Sequence, residues 1–556
     1  MKKQILLAAV ALALGAWLIA QNAATPKPLA DLTPAGAVLY LEARNFGALL
    51  GDWNTSGEKK TWLASPNHQV FSRSRLYLRL EQVFQEYTNA IGLPPDMTLL
   101  NSVAGGETAL AIYDINNLEF LYITRLPSAR AMQSVLWNAR TKFTARTAAG
   151  TAYYLKSDGK RTALFAIAGD LLLVATREDA LTGALALISG GTPPTVRSEE
   201  WFQQATAAGA AGGELRMLLN MDKLLRASAF RTYWIQANRS DLAPFRAGIN
   251  VLNRTATEVN EQRVLLRAEP TTAPDASSTG ALLALAQNAG LYRVWAQPEA
   301  TFARDLITQK ILLPGPSLAV PSRTAPTASI EALQLGTSSD LETRLDGAPF
   351  DPPGPVYKAE AIQALLDANK PQALLLLQSS RETPDRVFVS NDSVVAMQSA
   401  VNWDAAQVRN ALRGAVEGLY TTSGLGVGWR ERRAGNDAIQ EMDGLARIAF
   451  AIRGRTLLIA DNAAYLQPVL AANGAAGANV AYAAGYRTAA ELPNYTRIMR
   501  LIEAPQVNNG DPNEPPFFSS NLSSLARTLQ RAQSVAITAQ DDGRQLKQST
   551  IYRLTR

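Results

Sequence analysis

The feature that most restricts how this chain can fold is an internal repetition at a constant spacing of 285 residues. Residues 164–175 read LFAIAGDLLLVA, and residues 449–460 read AFAIRGRTLLIA. Each stretch is typical of two short strands joined by a tight turn at a glycine. Each also leads into an amphipathic segment with leucines at matching positions, Leu181 and Leu185 in the first and Leu466 and Leu470 in the second. The sequence therefore predicts two homologous halves.

A second pair of matching segments lies upstream of these strands. The segments after Ser128 and after Asp404 both place apolar residues on one helical face, and both follow a residue type that caps helix N-termini. We therefore expect a helix over residues 129–139 and an equivalent helix after Asp404. The later copy contains nine additional residues, which fall in the Gly-rich stretch 421–433.

The composition of one segment indicates the boundary between the two halves. Residues 270–280 read PTTAPDASSTG, a polar stretch rich in proline, serine and threonine that is typical of a linker. We therefore predict a first half over residues 30–269 and a second half over residues 281–556. Within the second half, residues 314–355 are rich in proline and are predicted to form a long loop or an inserted arm.

Strand–turn–strand patterns dominate the first half. Strands are predicted at 38–43, 107–114, 119–125, 143–146, 152–157, 162–167, 171–176, 214–219, 248–257 and 263–267. Helices are predicted within 46–92 and at 129–139, 179–188 and 221–235. Sequential strands of this kind pair as antiparallel neighbours, and the intervening helices cover their faces. The fold class is therefore predicted to be α+β, with a mostly antiparallel sheet covered by helices in each half.

The N-terminus carries an export pattern. Lys2 and Lys3 precede an unbroken apolar run from Ile5 to Ala20, which is typical of a secretory signal. Residues 1–24 lack a good A-x-A cleavage site, and 16 apolar residues are just short of a membrane span. The segment is therefore predicted to be a signal peptide or an anchor, with Ile5 to Ala20 contacting the membrane if uncleaved. The remainder is expected to be periplasmic, or tethered to the inner membrane outside the cytoplasm.

The residue inventory excludes several kinds of chemistry. The chain has no cysteine and one histidine, which excludes disulfides, thiolate metal sites and histidine-rich metal cages. Its net charge is +6, and its arginines are dispersed along the chain rather than clustered. A nucleic-acid-binding protein concentrates its basic residues on one face, so no nucleic-acid partner is expected.

Individual motifs give no catalytic constellation. His68 lies in a polar break, where a general base and a solvated loop histidine are the alternatives. Ser157-x-x-Lys160 lies at a predicted hairpin turn, whereas the serine–lysine motif of penicillin-binding enzymes needs a helix. The glycines of 424–428 have the wrong spacing for a dinucleotide loop. We therefore predict no catalytic, cofactor-binding or metal-ligating residues, and no cofactor.

Two further groups of residues leave alternatives open. The carboxylates Glu258 and Asp541–Asp542 fall at matching turns of the two halves, which favours solvated turn residues over a catalytic pair. Trp53 and Trp62 share the first helical region with Tyr77 and Phe84. These aromatic residues fit either a lipid or peptide groove or ordinary core packing.

The start of the first half resembles a known group of proteins. Residues 31–43 read DLTPAGAVLYLEA and are followed by a predicted helix that contains Trp53. This stretch, the hairpin at 104–125 and the turn at 165–175 resemble uncharacterised exported bacterial proteins that carry a duplicated domain of unknown function. The resemblance implies a cell-envelope protein, and it brings no catalytic residues with it.

Three functions follow as hypotheses. The first is a non-enzymatic binding or scaffold protein of the bacterial envelope, whose partner is another envelope protein or a hydrophobic ligand. The second is a carrier of a lipid or other hydrophobic ligand, which requires an apolar cavity of several hundred Å³. The third is a hydrolase that uses carboxylates or serine without histidine, which requires two acidic side chains facing each other across a cleft.

Overall fold

The structure is a computed structural model. It describes residues 26–63, 68, 72–73, 75–92, 97–159, 161–210, 212–227, 242–312, 358–382, 389–420, 428–443, 448–472, 474, 476–492, 494 and 532–555. The predicted signal or anchor at 1–24 and the predicted arm at 314–355 lie outside these residues. The contacts divide the chain into two compact units, one of residues 1–59 and 72–251 and the other of residues 60–71 and 252–556.

The first unit is built on an eight-stranded antiparallel sheet. Its strands are β1 Leu39–Ala43, β2 Thr108–Asp114, β3 Glu119–Arg125, β4 Thr144–Ala148, β5 Thr151–Ser157, β6 Thr162–Ala168, β7 Leu171–Ala175 and β8 Leu215–Asn220. They lie in the order β8-β1-β2-β3-β7-β6-β5-β4, and every neighbouring pair is antiparallel. A further strand, β9 Phe245–Arg254, contains the boundary between the units.

Helices fill the connections of this unit. They are α1 Phe46–Thr55, α2 Gly57–Leu63, α3 Arg75–Ile91, α4 Met97–Val103, α5 Ser128–Ala131, α6 Val135–Asn138, α7 Glu178–Ile188, α8 Glu200–Ala208 and α9 Met221–Arg226. Short 3-10 turns cover Leu29–Asp31, Arg140–Lys142 and Val196–Ser198. Helix α2 crosses residue 59, where the first unit gives way to the second.

The second unit has an eleven-stranded antiparallel sheet. Its strands are β10 Glu258–Arg267, β11 Leu291–Ala296, β12 Pro371–Glu382, β13 Val389–Ser399, β14 Gly428–Ala434, β15 Asp437–Asp443, β16 Ala449–Arg453, β17 Thr456–Ala460, β18 Tyr482–Arg487, β19 Ala532–Asp541 and β20 Gln545–Leu554. Their order is β10-β20-β19-β18-β11-β12-β13-β17-β16-β15-β14. Because β10 pairs along its length with β20, the contacts place it in the second unit, although it precedes the predicted linker at 270–280.

Helices cover this second sheet as well. They are α10 Thr279–Leu283, α11 Ala300–Ile307, α12 Ala359–Asn369, α13 Ala405–Tyr420 and α14 Ala463–Ala471, with a 3-10 turn at Ala284–Ala286 and a π-helical turn at Thr308–Leu312. The two sheets and their helices confirm the predicted α+β class. None of the helices in the described part of the chain is long and apolar enough to cross a membrane.

The order of strands is the same in both sheets over eight strands. The order β8-β1-β2-β3-β7-β6-β5-β4 has its counterpart in β18-β11-β12-β13-β17-β16-β15-β14, and the chain visits the eight positions in the same sequence. Registers agree too. Leu164 of β6 lies opposite Ala175 of β7, and Ala449 of β16 lies opposite Ala460 of β17. Each residue of the first pair precedes its counterpart in the second pair by 285 residues.

The predicted helix at 129–139 is wrong, because the segment forms the two short helices α5 and α6. The Ser134 hydroxyl accepts a hydrogen bond from the backbone N–H of Trp137 at 3.2 Å and starts a new helix there. A serine that bonds its local backbone in this way competes with helix continuation. The corresponding segment of the second unit, α13, is continuous, and the Asp404 carboxylate caps it by accepting the N–H of Gln407 at 2.8 Å.

The two candidate caps differ in what they stabilise. Pro127 occupies the N-cap position of α5, and Ser128 makes no capping bond. Replacing Asp404 by alanine leaves an N–H of α13 unsatisfied, so we expect a loss of about 1 kcal/mol of unfolding free energy. Urea unfolding followed by circular dichroism measures this loss.

The matched controls are Ser128→Ala, which is expected to change stability by only a few tenths of a kcal/mol, and Asp404→Asn, which keeps the acceptor. Equal losses in Asp404→Ala and Ser128→Ala would contradict this capping assignment.

Candidate functional site

An apolar cavity of about 430 Å³ lies inside the first unit. Its floor is the face of the sheet formed by β1, β2, β3 and β7, and its cover consists of residues from α1, α3, α4 and α6. Fourteen of the sixteen lining residues are apolar, and the other two are a threonine and a tyrosine. The strands contribute Leu41, Ala43, Thr108, Leu110, Ile112, Phe120, Tyr122 and Val174, the turn between β2 and β3 contributes Leu118, and the helices contribute Phe46, Phe84, Met97, Leu99, Leu100, Val103 and Leu136.

Strand alternation explains why these residues share one face. Leu41 lies opposite Leu110, Leu110 lies opposite Tyr122, and Tyr122 lies opposite Val174. Paired residues on antiparallel strands point to the same side of the sheet. The four side chains therefore form one row across the cavity floor.

The two faces of these central strands differ in exposure. On the face away from the cavity, Ala109, Ala111, Leu121 and Ile123 are each 1% exposed. On the cavity face, the larger side chains Leu110, Ile112, Phe120 and Tyr122 are only half-buried. Apolar residues in the middle of a sheet normally lose nearly all of their contact with solvent. The middle of the cavity face is thus apolar surface that the helices cover only in part, whereas Thr108 and Val174 of the same face are buried.

The polar groups at the cavity wall already have partners. The Tyr122 hydroxyl donates a hydrogen bond to the Val103 carbonyl oxygen at 2.9 Å. Burial raises the pKa of Tyr122 to about 12, so the phenol is neutral at physiological pH. The hydroxyl oxygens of Thr108 and Thr124 lie 2.6 Å apart and hydrogen-bond to each other. A ligand inside would therefore meet hydrocarbon rather than a polar group in need of a partner.

The helical cover is itself partly apolar on the outside. Phe84 of α3 and Met97 of α4 line the cavity, yet they are 38% and 41% exposed. Trp53 of α1 and Leu78 of α3 are also exposed, at 41% and 51%. Side chains that reach both the cavity and the solvent mark an opening rather than a sealed void.

An arginine holds this cover to the sheet. The Arg161 guanidinium, which is only 11% exposed, forms an ion pair with Glu86 of α3 at 2.8 Å. The same guanidinium donates to the carbonyl oxygen of Asn117, in the turn between β2 and β3. This bridge connects α3 to the hairpin next to Leu118, which lines the cavity.

The same sheet face is filled in the second unit. By strand order and register, Thr108, Leu110, Tyr122 and Val174 correspond to Leu374, Leu376, Val395 and Ile459. These four residues are between 0% and 2% exposed, because side chains of α11, α12 and α13 pack directly on them. This face of the sheet is therefore filled in the second unit, whereas in the first unit it is partly open.

Sequence analysis predicted part of this site. Phe84, placed in a candidate groove, does line the cavity, while Trp53 is exposed on the cover and Tyr77 is half-buried. The Trp62 side chain lies outside the described residues. Sequence analysis missed the strand residues, although a signal was present. Both β2 and β3 carry apolar residues on both faces, which indicates cover on both sides of the sheet.

The remaining candidates have separate local surroundings. Ser157 ends strand β5 at a hairpin turn, as predicted, and does not begin a helix. His68 is half-buried with helical backbone, in place of the predicted polar break. Asp542 accepts the N–H groups of Arg544 and Gln545, which makes it a turn residue. Asp541 receives a hydrogen bond from Arg267.

The described histidine and acidic residues were also considered as metal ligands. Across the described ranges, no three histidine or acidic side chains come together in a way that could hold a metal ion.

Comparison with known proteins gives distant likeness only. Neither a protein-family model nor a curated protein matches this chain. Among solved structures, crystal forms I, III and IV of TP0453 are similar, with sequence identities of 12% to 13% and TM-scores of 0.23 to 0.26. They cover 44% to 48% of this chain and 79% to 89% of that one. TM-scores this low carry no argument about fold or function, and the resemblance to exported bacterial proteins stays a prediction.

The shifted pKa of Tyr122 makes a prediction about alkaline stability. Its ordinary pKa lies near 10, and in the folded protein it lies at about 12. The unfolded chain therefore releases this proton first, so the stabilisation is present below about pH 10 and is lost as the pH rises through 12. Tyr122→Phe should remove this part of the pH dependence, on the order of 2 kcal/mol.

Urea unfolding of both proteins at pH 8 to pH 11.5 is the measurement. Buried tyrosines elsewhere contribute equally to both curves, so the difference between the curves isolates Tyr122. Parallel curves over the whole range would show that the phenol ionises freely.

Proposed function

We propose that the first unit binds a hydrophobic ligand, such as the acyl chain of a lipid, and that the protein acts as a non-enzymatic carrier or binding protein. One observation carries this proposal. The sheet face that α11, α12 and α13 fill in the second unit is an open apolar cavity in the first. Leaving such a face uncovered costs stability, so its presence favours a ligand that completes the core.

The size and chemistry of the cavity support an acyl chain. Ligand pockets commonly measure about 300–1,000 Å³, and an apolar cavity of about 150 Å³ suffices for benzene. A cavity of about 430 Å³ therefore has space for a considerably larger hydrocarbon. Because the Tyr122 and Thr108 hydroxyls are already hydrogen-bonded, the interior favours a chain without polar groups, with any head group left at the opening.

The affinity expected from such a chain is useful for transport. Burying roughly 14 methylene groups gains about 11 kcal/mol at about 0.8 kcal/mol each. Association costs at least about 4 kcal/mol in lost freedom of motion. The difference of about 7 kcal/mol corresponds to a Kd on the order of 10 µM, which permits both uptake and release.

The cavity lining favours binding over catalysis. Tyr122 is the one titratable residue among the sixteen that line it, and its raised pKa keeps it neutral. General acid–base chemistry needs a group with a pKa near the working pH, and nucleophilic catalysis needs an activated nucleophile. The hydrolase hypothesis finds no such group here.

The proposal extends to where the protein works and how it arose. The basic start and the apolar run Ile5 to Ala20 favour export to a bacterial envelope, with the folded part periplasmic or tethered to the inner membrane. In that compartment the protein would lie close to membranes, whose lipids could supply the ligand. The shared strand order and the spacing of 285 residues support two homologous halves, of which one retained or acquired an open face.

Filling the cavity provides the test. Leu110→Trp and Ile112→Trp place an indole in the space that the ligand would occupy. We expect palmitate, which has 14 methylene groups, to bind the native protein saturably, with each substitution weakening binding at least about tenfold because the buried chain loses its room. Isothermal titration calorimetry with palmitate measures the affinity, and thermal unfolding verifies that the variants fold.

Met132→Trp is the matched control. Met132 is 47% exposed and does not line the cavity, so the same added indole should leave palmitate binding unchanged. Native affinity in Leu110→Trp, or an equal loss in Met132→Trp, would rule out the cavity as the binding site.

A further inference from the structure

A second cavity, of about 200 Å³, lies on the sheet of the second unit. Arg487 of β18 lies opposite Ser534 of β19, and Ser534 lies opposite Arg553 of β20. Register pairing places the three side chains on the same face, in a row across three strands. Adjacent strands are about 4.8 Å apart, so the backbones of the two arginines are separated by roughly 10 Å, with the short serine between them.

The next row of paired residues on the same face forms the floor of this cavity. Tyr292 lies opposite Gly485, Gly485 opposite Ala536, and Ala536 opposite Ile551. The Tyr292 ring lies across Gly485, where a Cβ atom would overlap it. Two small residues in mid-strand, flanked by long side chains, produce a depression in an otherwise continuous sheet.

The side chains of Arg487, Arg553, Tyr292 and Ser534 at this depression make no ion pair or hydrogen bond among the residues that the structure describes. Neither the Arg487 nor the Arg553 guanidinium lies within 4.0 Å of a carboxylate there, and the hydroxyls of Tyr292 and Ser534 make no hydrogen bond there. Burial raises the pKa of Tyr292, while the charge of Arg487 opposes that shift. The phenol is thus a neutral donor at physiological pH.

Two nearby carboxylates have other roles. Glu258 of β10 lies opposite Arg553, on the side of β20 away from β19, and it forms no ion pair with Arg553. Glu491 accepts hydrogen bonds from the Ser380 backbone N–H, at 3.1 Å, and from its hydroxyl. The pocket therefore presents two guanidinium groups and two hydroxyls as donors, and no acidic residue lines it.

We propose that this pocket binds a phosphate group. Two guanidiniums that flank one space repel each other, and an anion between them turns repulsion into attraction. A guanidinium presents paired N–H donors that match the oxygens of a phosphate, and a tetrahedral phosphate has oxygens for arginines on both sides. A carboxylate, with two oxygens in one plane, is satisfied by a single guanidinium. This inference is independent of the proposed lipid cavity, because it concerns other residues and a polar ligand.

A phosphate group could come from a soluble phosphate ester or from a phospholipid head group. Both present the same oxygens to the same donors, so the structure assigns the shared chemistry. The two arms of the experiment separate the sources.

In the first arm, calorimetric titration of the full chain with inorganic phosphate at low salt is expected to show saturable binding. Arg487→Gln and Arg553→Gln should each weaken it at least about tenfold, because each removes a charged hydrogen-bond donor. Arg487→Lys should give an intermediate affinity, since it keeps the charge and loses the paired donors. Arg293→Gln is the control, because Arg293 is an exposed residue on the opposite face of the same sheet.

In the second arm, the same proteins sediment with phosphatidylcholine vesicles that contain or lack phosphatidylglycerol. Binding of inorganic phosphate that the pocket variants lose supports a soluble phosphate ester. A preference for phosphatidylglycerol that disappears in the pocket variants, without binding of inorganic phosphate, supports a head group. The proposal is overturned if neither probe binds, if the pocket variants bind as the native protein does, or if Arg293→Gln loses binding equally.

Discussion

Both units depend on one constraint, which is that the central strands of each sheet are apolar on both faces. A strand directs alternate residues to opposite sides, so such a strand needs apolar cover on each side to be stable in water. In the second unit, Leu374 and Leu376 of β12 pack in one core, and Leu375 and Leu377 pack in another on the opposite side of the sheet. The connections between strands must therefore supply helices on both sides, and they do so in the same order in both units.

The cavity is a local departure from this rule. On the closed side of the first unit, the central residues are 1% exposed, as packing requires. On the other side, the helix that closes the second unit as α13 has two single turns as its counterpart, α5 and α6. A continuous helix of 16 residues presents four turns of apolar side chains, whereas two separate turns cannot cover the same length of sheet. The divided helix and the partly open face occur in the same unit.

The two cavities differ because their strands place different residue types toward them. The cavity of the first unit is lined by large apolar side chains under helices, so it suits hydrocarbon. The depression in the second unit comes from Gly485 and Ala536 on a face with arginines at its margin, so it stays polar. One architecture therefore offers two kinds of chemistry, and neither requires a catalytic group.

Local patterns in the sequence determined the α+β class, almost every strand of the first unit and the hairpin at Ser157, because alternation and turn residues act over a few positions. They also placed Phe84 in a candidate groove. They failed at 129–139, where the apolar spacing predicts one helix and the Ser134 cap divides it. Tertiary structure alone decided which apolar faces are filled and which two arginines share a pocket. Those outcomes depend on the register between strands distant in sequence and on the volume that helices occupy above them, and neither quantity is encoded within a short segment.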